Sequence, residues 1–336
     1  MNMNQLKQSY GLNVLLSVAK KSGTRCKKRN TLGGHPMRHQ QVLKYIEKIA
    51  RTGSLRSAAE ELGITPSALN RRILGVEEEL GVEIFERHPA GLRPNIAGEI
   101  LLKHIRDQLA DMERVKSRIA DLSGMRAGHI NIATTREVVA YFLPDLIKQH
   151  LIEFPAVTFG VNLHERGEAE NSLQDNSNDI AIVFEPMHMQ DMQTVYAGPQ
   201  EMFVVMSQDH PLAGRENLHI YDCTDFPLLL PKQPEGIRQV VDEVAAKVGV
   251  PLEPAVESNS LDLLRLMSQD SLALSFCLAI NLRPDLDKAR LVSVPLHLGG
   301  VPAGVLAAGY LKGRTLPVAA ARFLETVNKQ LSTRFA

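Results

Sequence analysis

Apolar residues recur at helical spacing from residue 43 onward. One face of a first helix carries Leu43, Ile46, Ile49 and Ala50. Ser54 is a good N-cap for a second helix that runs to Leu62, and Gly63 suits the left-handed position after it. The pattern therefore predicts two short helices, separated by a turn at Gly53.

A third helix is predicted to begin at Thr65-Pro66, because Thr65 can cap it and proline is tolerated at the first helical position. Its inward face carries Leu69, Ile73 and Val76. Ser67, Asn70 and Arg71 fall on other faces. Two helices joined by a short glycine-containing turn form a helix-turn-helix, whose second helix enters the major groove of DNA.

The polar residues of this third helix have the chemistry of base and phosphate contacts. Asn70 can pair with adenine, and Arg71 or Arg72 with guanine or a phosphate. Thr65 and Ser67 can donate to a phosphate near the helix N-terminus. The alternative is that these residues form the solvated face of a core helix. The predicted DNA-binding residues are Ser54, Thr65, Pro66, Ser67, Asn70, Arg71, Arg72, Arg87 and Arg93.

Two short strands, residues 83–87 and 91–93, predict a wing, and its Arg87 and Arg93 can contact phosphates. Asn95 then caps a long helix. Its apolar residues recur in steps of three and four: Leu102, Ile105, Leu109, Met112, Val115, Ile119 and Leu122. This stripe predicts a coiled-coil dimer contact through Leu102, Ile105, Leu109, Met112 and Ile119. The alternative is a helix that packs only on its own chain.

Residues 37–102 closely resemble the DNA-binding domain of LysR-type transcriptional regulators. The resemblance is carried by Gly53-Ser54-Leu55, Ala58-Ala59-Glu60-Glu61-Leu62, Ile64-Thr65-Pro66-Ser67-Ala68-Leu69, Glu78-Glu79-Leu80-Gly81, Ile84-Phe85-Glu86-Arg87 and Ala97-Gly98-Glu99. It implies a homodimer or homotetramer that binds inverted repeats in double-stranded DNA near promoters, and a contact with RNA polymerase if the protein is an activator. Asn70-Arg71-Arg72 stands where the family has Ser-Arg-Gln, which changes the expected base preference there.

The rest of the chain alternates strands with helices. The predicted strands are residues 128–133, 157–163, 179–183, 201–207, 227–230 and 291–296, and helices are predicted near 136–151, 236–249, 260–268 and 316–331. This alternation predicts an α/β fold with mainly parallel sheets. The weaker resemblance here, to about residue 331, implies a two-subdomain effector domain similar to periplasmic solute-binding proteins.

The predicted multidomain organisation has five parts. They are a basic extension (1–36), the winged helix-turn-helix (37–94), the linker helix (95–124), subdomain 1 (127–198 and 303–331) and subdomain 2 (199–302). Residues 1–36 are expected to be a disordered extension, or to precede a natural start at Met37.

Ligands of such α/β folds bind at the carboxyl ends of strands, beside helix N-termini. The residues predicted there for a small-molecule effector are Thr134, Thr135, Arg136, Gln233, Glu235, Gly236, Arg238, Ser258 and Asn259. Hydroxyls and free N–H groups favour an anion such as a carboxylate, which Arg136 or Arg238 could neutralise. The residues at 271–274 depart from the family's Gly-x-Gly-Ile-Ala segment.

Charge is divided unevenly along the chain, although the formal net charge is zero. Residues 1–126 carry an excess of nine positive charges and residues 127–336 an excess of nine negative charges. The basic part can meet a polyanion. Three dispersed cysteines are typical of a reducing compartment, so a cytoplasmic location without membrane contact is predicted.

No hydrolase, metalloprotease or nucleotide-binding motif is found, so no catalytic residue, metal or cofactor is predicted. His188, between two methionines, is interpreted as part of a solvated loop. Two alternatives remain open. One is a transport-type solute-binding protein whose basic leader is a signal peptide, and the other is an enzyme on the same two-subdomain fold.

Overall fold

The computed structural model of the chain describes residues 38–89, 91–122, 126–140, 142–282 and 290–335. The basic segment 1–36 lies outside these ranges. The N-terminal domain consists of three helices, a hairpin and a long helix: α1 (Arg38–Thr52), α2 (Leu55–Leu62), α3 (Pro66–Leu80), β1 (Phe85–His88), β2 (Gly91–Pro94) and α4 (Ile96–Leu122).

The predicted caps of α2 and α3 are confirmed. The Ser54 side chain accepts a hydrogen bond from the Ser57 N–H, and the Thr65 side chain accepts one from the Ala68 N–H. Gly63 ends α2 in the left-handed conformation, with φ at 67°. Below these helices, Ile46, Ile49, Ala58, Ala59, Leu69 and Ile84 form a fully buried core. Short-range capping and this core together set the angle between α2 and α3.

The C-terminal part forms two α/β subdomains. Subdomain 1 contains β3 (Gly128–Thr134), α5 (Arg136–Val139), α6 (Phe142–Glu153), β4 (Val157–Leu163), α7 (Glu168–Gln174), β5 (Ile180–Phe184), β6 (Met192–Pro199), β12 (Val305–Leu311) and α11 (Val318–Arg334). Subdomain 2 contains β7 (Met202–Ser207), α8 (Ile220–Cys223), β8 (Leu228–Pro231), α9 (Gly236–Val248), β9 (Pro254–Ser258), α10 (Leu261–Met267), β10 (Leu274–Leu278) and β11 (Leu291–Pro295).

The expectation of mainly parallel sheets is wrong, because both sheets are mixed. The strand orders are β4-β3-β5-β12-β6 and β11-β7-β10-β8-β9. Pairs made by β12 with β5 and β6, and by β7 with β10 and β11, are antiparallel. The chain passes between the subdomains twice, from β6 to β7 and from β11 to β12. The strand that follows each connection, β7 or β12, enters its sheet from the opposite end, which makes it antiparallel to its neighbours.

Helix α4 presents two apolar faces. Leu102 and Ile105 are 1% and 0% exposed within the N-terminal core, and Leu109 packs against the same core. The prediction that Leu102 and Ile105 contact a second chain is therefore wrong, because their own domain already buries them. The apolar residues of α4 that remain exposed are Ile96, Ile100, Val115, Ile119 and Leu122.

Candidate DNA-binding surface and effector cleft

The exposed side of α3 and the wing form one candidate site, here called the recognition surface. Its residues are Thr65, Pro66, Ser67, Asn70, Arg71, Arg72, Arg87 and Arg93, all exposed. Ser67, Asn70, Arg71 and Leu74 share one face of α3 because they are three or four residues apart. Leu74, 48% exposed, adds an apolar group beside the polar residues, which suits a thymine methyl. Ser54 is half-buried and serves as the cap of α2.

Arg72 of α3 contacts Tyr45 of α1. Its guanidinium donates a hydrogen bond to the Tyr45 hydroxyl at 3.4 Å, and its Cζ lies 5.0 Å from the centre of the Tyr45 ring. Tyr45 itself is 4% exposed, on α1. The sequence reading missed Tyr45, since an aromatic residue on a helix is usually only part of the core.

The wing is held close to the turn between α1 and α2. The Leu92 N–H donates to the Gly53 carbonyl at 2.7 Å. Gly91 has a φ of 121°, and a Cβ built there would lie 2.5 Å from the Gly53 oxygen. In the hairpin register, Arg93 pairs with Glu86 and Arg87 pairs with Leu92. The two arginines thus lie on opposite faces of the hairpin.

The second candidate site is the cleft between the subdomains, and direct contacts close it. Arg136 of subdomain 1 forms an ion pair with Glu235 of subdomain 2, with Nη1 2.5 Å from Oε1. Arg166 reaches across the cleft to the Gln239 amide oxygen. The ring of Phe184 lies so close to Gly236 that a Cβ there would be 2.7 Å from Cδ1. The absence of a side chain at Gly236 is therefore needed for closure.

Glu137 occupies the position at which an anionic ligand was expected. Its side chain is buried, and the main-chain N–H groups of Gly236 and Ile237, at the start of α9, favour its ionised form. Burial raises the pKa of Glu137, and these N–H groups with the Thr135 hydroxyl offset only part of the effect. The sequence signal for Glu137 was its place directly after Thr134-Thr135-Arg136, at the carboxyl end of β3.

Glu235 is the second buried carboxyl of the cleft. Burial and the neighbouring Glu137 raise its pKa to about 7, and the opposing effect of Arg136 is smaller. We call Arg136, Glu137 and Glu235 the cleft cluster. Two carboxyls and one guanidinium meet in it, so it is short of positive charge when both carboxyls are ionised.

The other predicted effector residues bond within their own subdomains. The Thr134 hydroxyl donates to the Ile182 carbonyl at 2.9 Å, and the Thr135 hydroxyl accepts from the Phe184 N–H at 3.3 Å. Arg238 is paired with Asp242 and Glu257, and the Gln233 amide donates to Asp242 at 2.8 Å. Ser258 accepts from the Ser260 N–H, and Asn259 is exposed. The structure therefore unites Thr135, Arg136, Glu235 and Gly236, whereas Arg238 is engaged on the side of Asp242.

The described residues were also compared with the requirements of a membrane span and of a metal site, which concern the ranges given above. No helix in them is long and apolar enough to cross a membrane. Among the same residues, no group of three or more His, Cys, Asp or Glu side chains is arranged to hold a metal ion.

Comparison with known proteins gives matches for both parts of the chain. The family model described as the LysR substrate binding domain matches residues 123–332, and that of the bacterial regulatory helix-turn-helix protein, lysR family, matches residues 41–99. The HTH-type transcriptional regulator CbbR of Rhodospirillum rubrum is 26% identical over 80% of this chain and 88% of its own. The HTH-type transcriptional regulator YvbU of Bacillus subtilis is 30% identical over 56% of this chain, which spans 64% of that relative.

Solved structures share the fold. A full-length OxyR variant from Pseudomonas aeruginosa has a TM-score of 0.62 at 20% identity, over 90% of this chain and 95% of that one. CbnR complexed with its target DNA has a TM-score of 0.60 at 18% identity, over 86% of this chain and 99% of that one.

Proposed function

The chain belongs to the LysR family of transcriptional regulators, and from this premise we propose that it binds inverted repeats at promoters as a dimer or tetramer and answers to a small molecule bound between its subdomains. The observation that carries the proposal is the capped helix α3, whose polar face is exposed beside the wing. Such a regulator works on DNA in the cytoplasm. The transport-type and enzyme alternatives give the recognition surface no purpose.

On the recognition surface, Asn70 and Arg71 are the proposed base-reading residues, since each can form two hydrogen bonds to one purine in the major groove. Thr65 and Ser67 lie at the helix N-terminus, where a phosphate is favoured. The wing arginines would contact the backbone on either side of the hairpin. Base contacts specify the sequence, and phosphate contacts fix the register.

Self-association is supported by two exposed apolar regions. One is on α4, where Ile96 and Ile100 are 83% and 70% exposed. The other is the edge strand β4, with Val161 and Leu163 exposed. Exposed apolar rows and unpaired edge strands are typical of surfaces that bind another chain. A two-fold symmetric dimer presents two recognition helices, as an inverted repeat requires.

The effector is proposed to bind at the cleft, because polar and apolar residues of the two subdomains meet there: Arg136 pairs with Glu235, and Phe184 packs on Gly236. A molecule that replaces the Arg136–Glu235 pair or the Phe184–Gly236 contact would shift the balance between closed and open arrangements. The subdomain arrangement would then change the assembly and its promoter contacts. If the change activates transcription, RNA polymerase is a further proposed partner.

A gel-shift experiment with the Arg71→Ala variant tests the DNA-binding role. We expect its affinity for a promoter repeat to fall by about 1–3 kcal/mol at constant salt, because a bidentate base contact is lost. Arg215→Ala, at an exposed arginine of subdomain 2, removes the same charge and should bind as the parent does. An Arg71→Ala protein with unchanged affinity would refute the base-reading role.

A further inference from the structure

Within the described residues, the closed cleft holds a buried carboxyl oxygen without a donor, Oε2 of Glu137, and this bears on the chemical class of the effector. We propose that the effector enters the cleft through a positively charged donor, a protonated amine or a guanidinium, which pairs with the carboxyls of Glu137 and Glu235. This inference rests on the proposed function of the cleft. It replaces the expectation of an anion, for which the described residues leave no obvious place.

The N-terminus of α9 is already occupied by a side chain of this protein. The first N–H groups of α9, a helix of 13 residues, act on the Glu137 carboxyl. Glu137 is tethered next to them and 1% exposed, so it is always present at high effective concentration. An external carboxylate would have to expel this side chain and leave its charge in a dry cleft, which is strongly unfavourable.

Three arginines near the cleft are already paired. Arg136 is bound to Glu235. Arg166 donates to the main-chain carbonyl of Glu185 at 2.7 Å, and the carboxylate of Glu185 lies 3.5 Å from the Arg166 guanidinium. Arg238 is held between Asp242 and Glu257. An anion would have to break one of these pairs, and the carboxylate released would repel it.

Among the described residues, one buried acceptor of the cleft lacks a donor. Oε2 of Glu137 is buried and has no hydrogen-bond partner within the described residues. The charged groups that act on Glu235 are Glu137, Arg136 and Glu165, two carboxyls against one guanidinium. A buried carboxylate oxygen without a donor is unfavourable, because it has lost its hydrogen bonds to water. An ammonium group would supply both the missing donor and the missing charge.

A cation bound beside Glu235 also changes the protonation of this carboxyl. Burial and the neighbouring Glu137 raise the pKa of Glu235 to about 7, so this carboxyl holds a proton more readily near neutral pH than an ordinary glutamate does. A cation placed beside it stabilises the ionised form and lowers this pKa. Binding of the amine therefore releases a proton, whereas binding of an anion would take one up.

The test uses the full chain with two matched probes, butylammonium chloride and sodium butyrate, at equal ionic strength and neutral pH. Thermal unfolding measures stabilisation, and titration calorimetry in two buffers of different ionisation enthalpy measures the protons exchanged. We expect butylammonium to raise the melting temperature and to release protons, and butyrate to do neither. Glu137→Gln and Glu235→Gln should each weaken the binding of butylammonium about 10-fold, or 1.4 kcal/mol.

Glu253→Gln, at an exposed carboxyl elsewhere in subdomain 2, is the matched control and should respond as the parent does. The proposal is overturned by preferential stabilisation with butyrate, by the absence of any response to butylammonium, or by a response that survives in both cleft variants. A gel shift on the same samples distinguishes a failure of the proposed function from a failure of the proposed effector class. Loss of promoter binding would contradict the proposed function, while intact DNA binding with a negative probe result contradicts the effector class alone.

Discussion

Single side chains in this protein couple elements that are distant in the sequence. Glu235 follows β8 in subdomain 2, and its partner Arg136 lies 99 residues earlier in subdomain 1. Tyr45 on α1 holds Arg72 on α3 in a similar way. In both cases a charged group gains its orientation from a neighbour that no local pattern connects with it. The consequences can be measured at these residues.

Glu235 should make stability depend on pH. Its pKa is raised to about 7 from an ordinary value of 4.5, so the folded chain binds this proton more tightly than the unfolded chain. The stability that protonated Glu235 provides is present at low pH and is lost as the pH rises through about 7. In the parent, the free energy of unfolding should therefore fall between about pH 5 and pH 8. We expect Glu235→Gln to make this fall smaller, by roughly 3 kcal/mol at most. Denaturant unfolding at each pH measures this, and an unchanged slope would contradict it.

Tyr45 is expected to act on DNA binding through Arg72. Tyr45→Leu removes both the hydroxyl and the ring face, so we expect a loss of promoter affinity of about 0.5–1 kcal/mol. A double-mutant cycle with Arg72→Ala distinguishes positioning from general damage. If Tyr45 orients Arg72, the leucine substitution should have little further effect in the Arg72→Ala background; equal losses in both backgrounds would indicate only a packing role.

At the scale of elements, the wing and helix α4 are set by close backbone approaches. The hairpin reaches the α1–α2 turn through Gly91, and α4 approaches the segment before β1 so closely that a Cβ on Gly98 would overlap the Ile84 oxygen. Asn95 caps α4, with its Oδ1 2.9 Å from the Gly98 N–H. The order of these elements was predictable from their caps and turn residues, but not the distance between them.

Gly91→Ala should displace the wing. The φ of 121° and the 2.5 Å approach to the Gly53 oxygen both exclude a methyl group without movement of the backbone. We expect a loss of stability of about 1–3 kcal/mol, together with weaker DNA binding. Gly75→Ala is the control for stability, because Gly75 lies inside α3 and, outside its own helix, no atom of the described residues is within 4 Å of a new Cβ. That substitution should stabilise by up to about 1 kcal/mol in thermal unfolding; the same sign for both variants would be the contrary result.

At the scale of the whole molecule, α4 connects the recognition surface to subdomain 1. Arg106 lies 3.4 Å from Asp175, and the Asn176 amide donates to Asp107. Asp175 and Asn176 lie just before β5, and the other end of β5 carries Phe184 at the cleft. One strand thus spans the distance between the linker contact and the cleft. Together with the exposed apolar face of α4, this suits a regulator in which the cleft influences assembly.

Ile100→Glu should weaken self-association, because it places a charge on the exposed apolar face of α4. We expect a shift toward monomer in sedimentation analysis and a loss of cooperative binding to an inverted repeat. Val248→Glu introduces the same charge at an exposed valine on α9 and should leave the oligomer intact. A parent-like mass for Ile100→Glu would argue against this face.

The helix-turn-helix could be read from the chain alone, because its signals act over three or four residues: Ser54 and Thr65 as caps and Gly63 in the left-handed conformation. The family and the α/β class also followed from linear patterns. The two faces of α4 could not be separated in this way. Leu102 and Val115 belong to the same apolar repeat, but only Leu102 is buried in the core of its domain. The charge of the cleft could not be predicted either, because it depends on residues from distant parts of the chain that only the fold brings together. Glu137 lies at the N-terminal end of α9, where the sequence pattern predicted an anionic ligand.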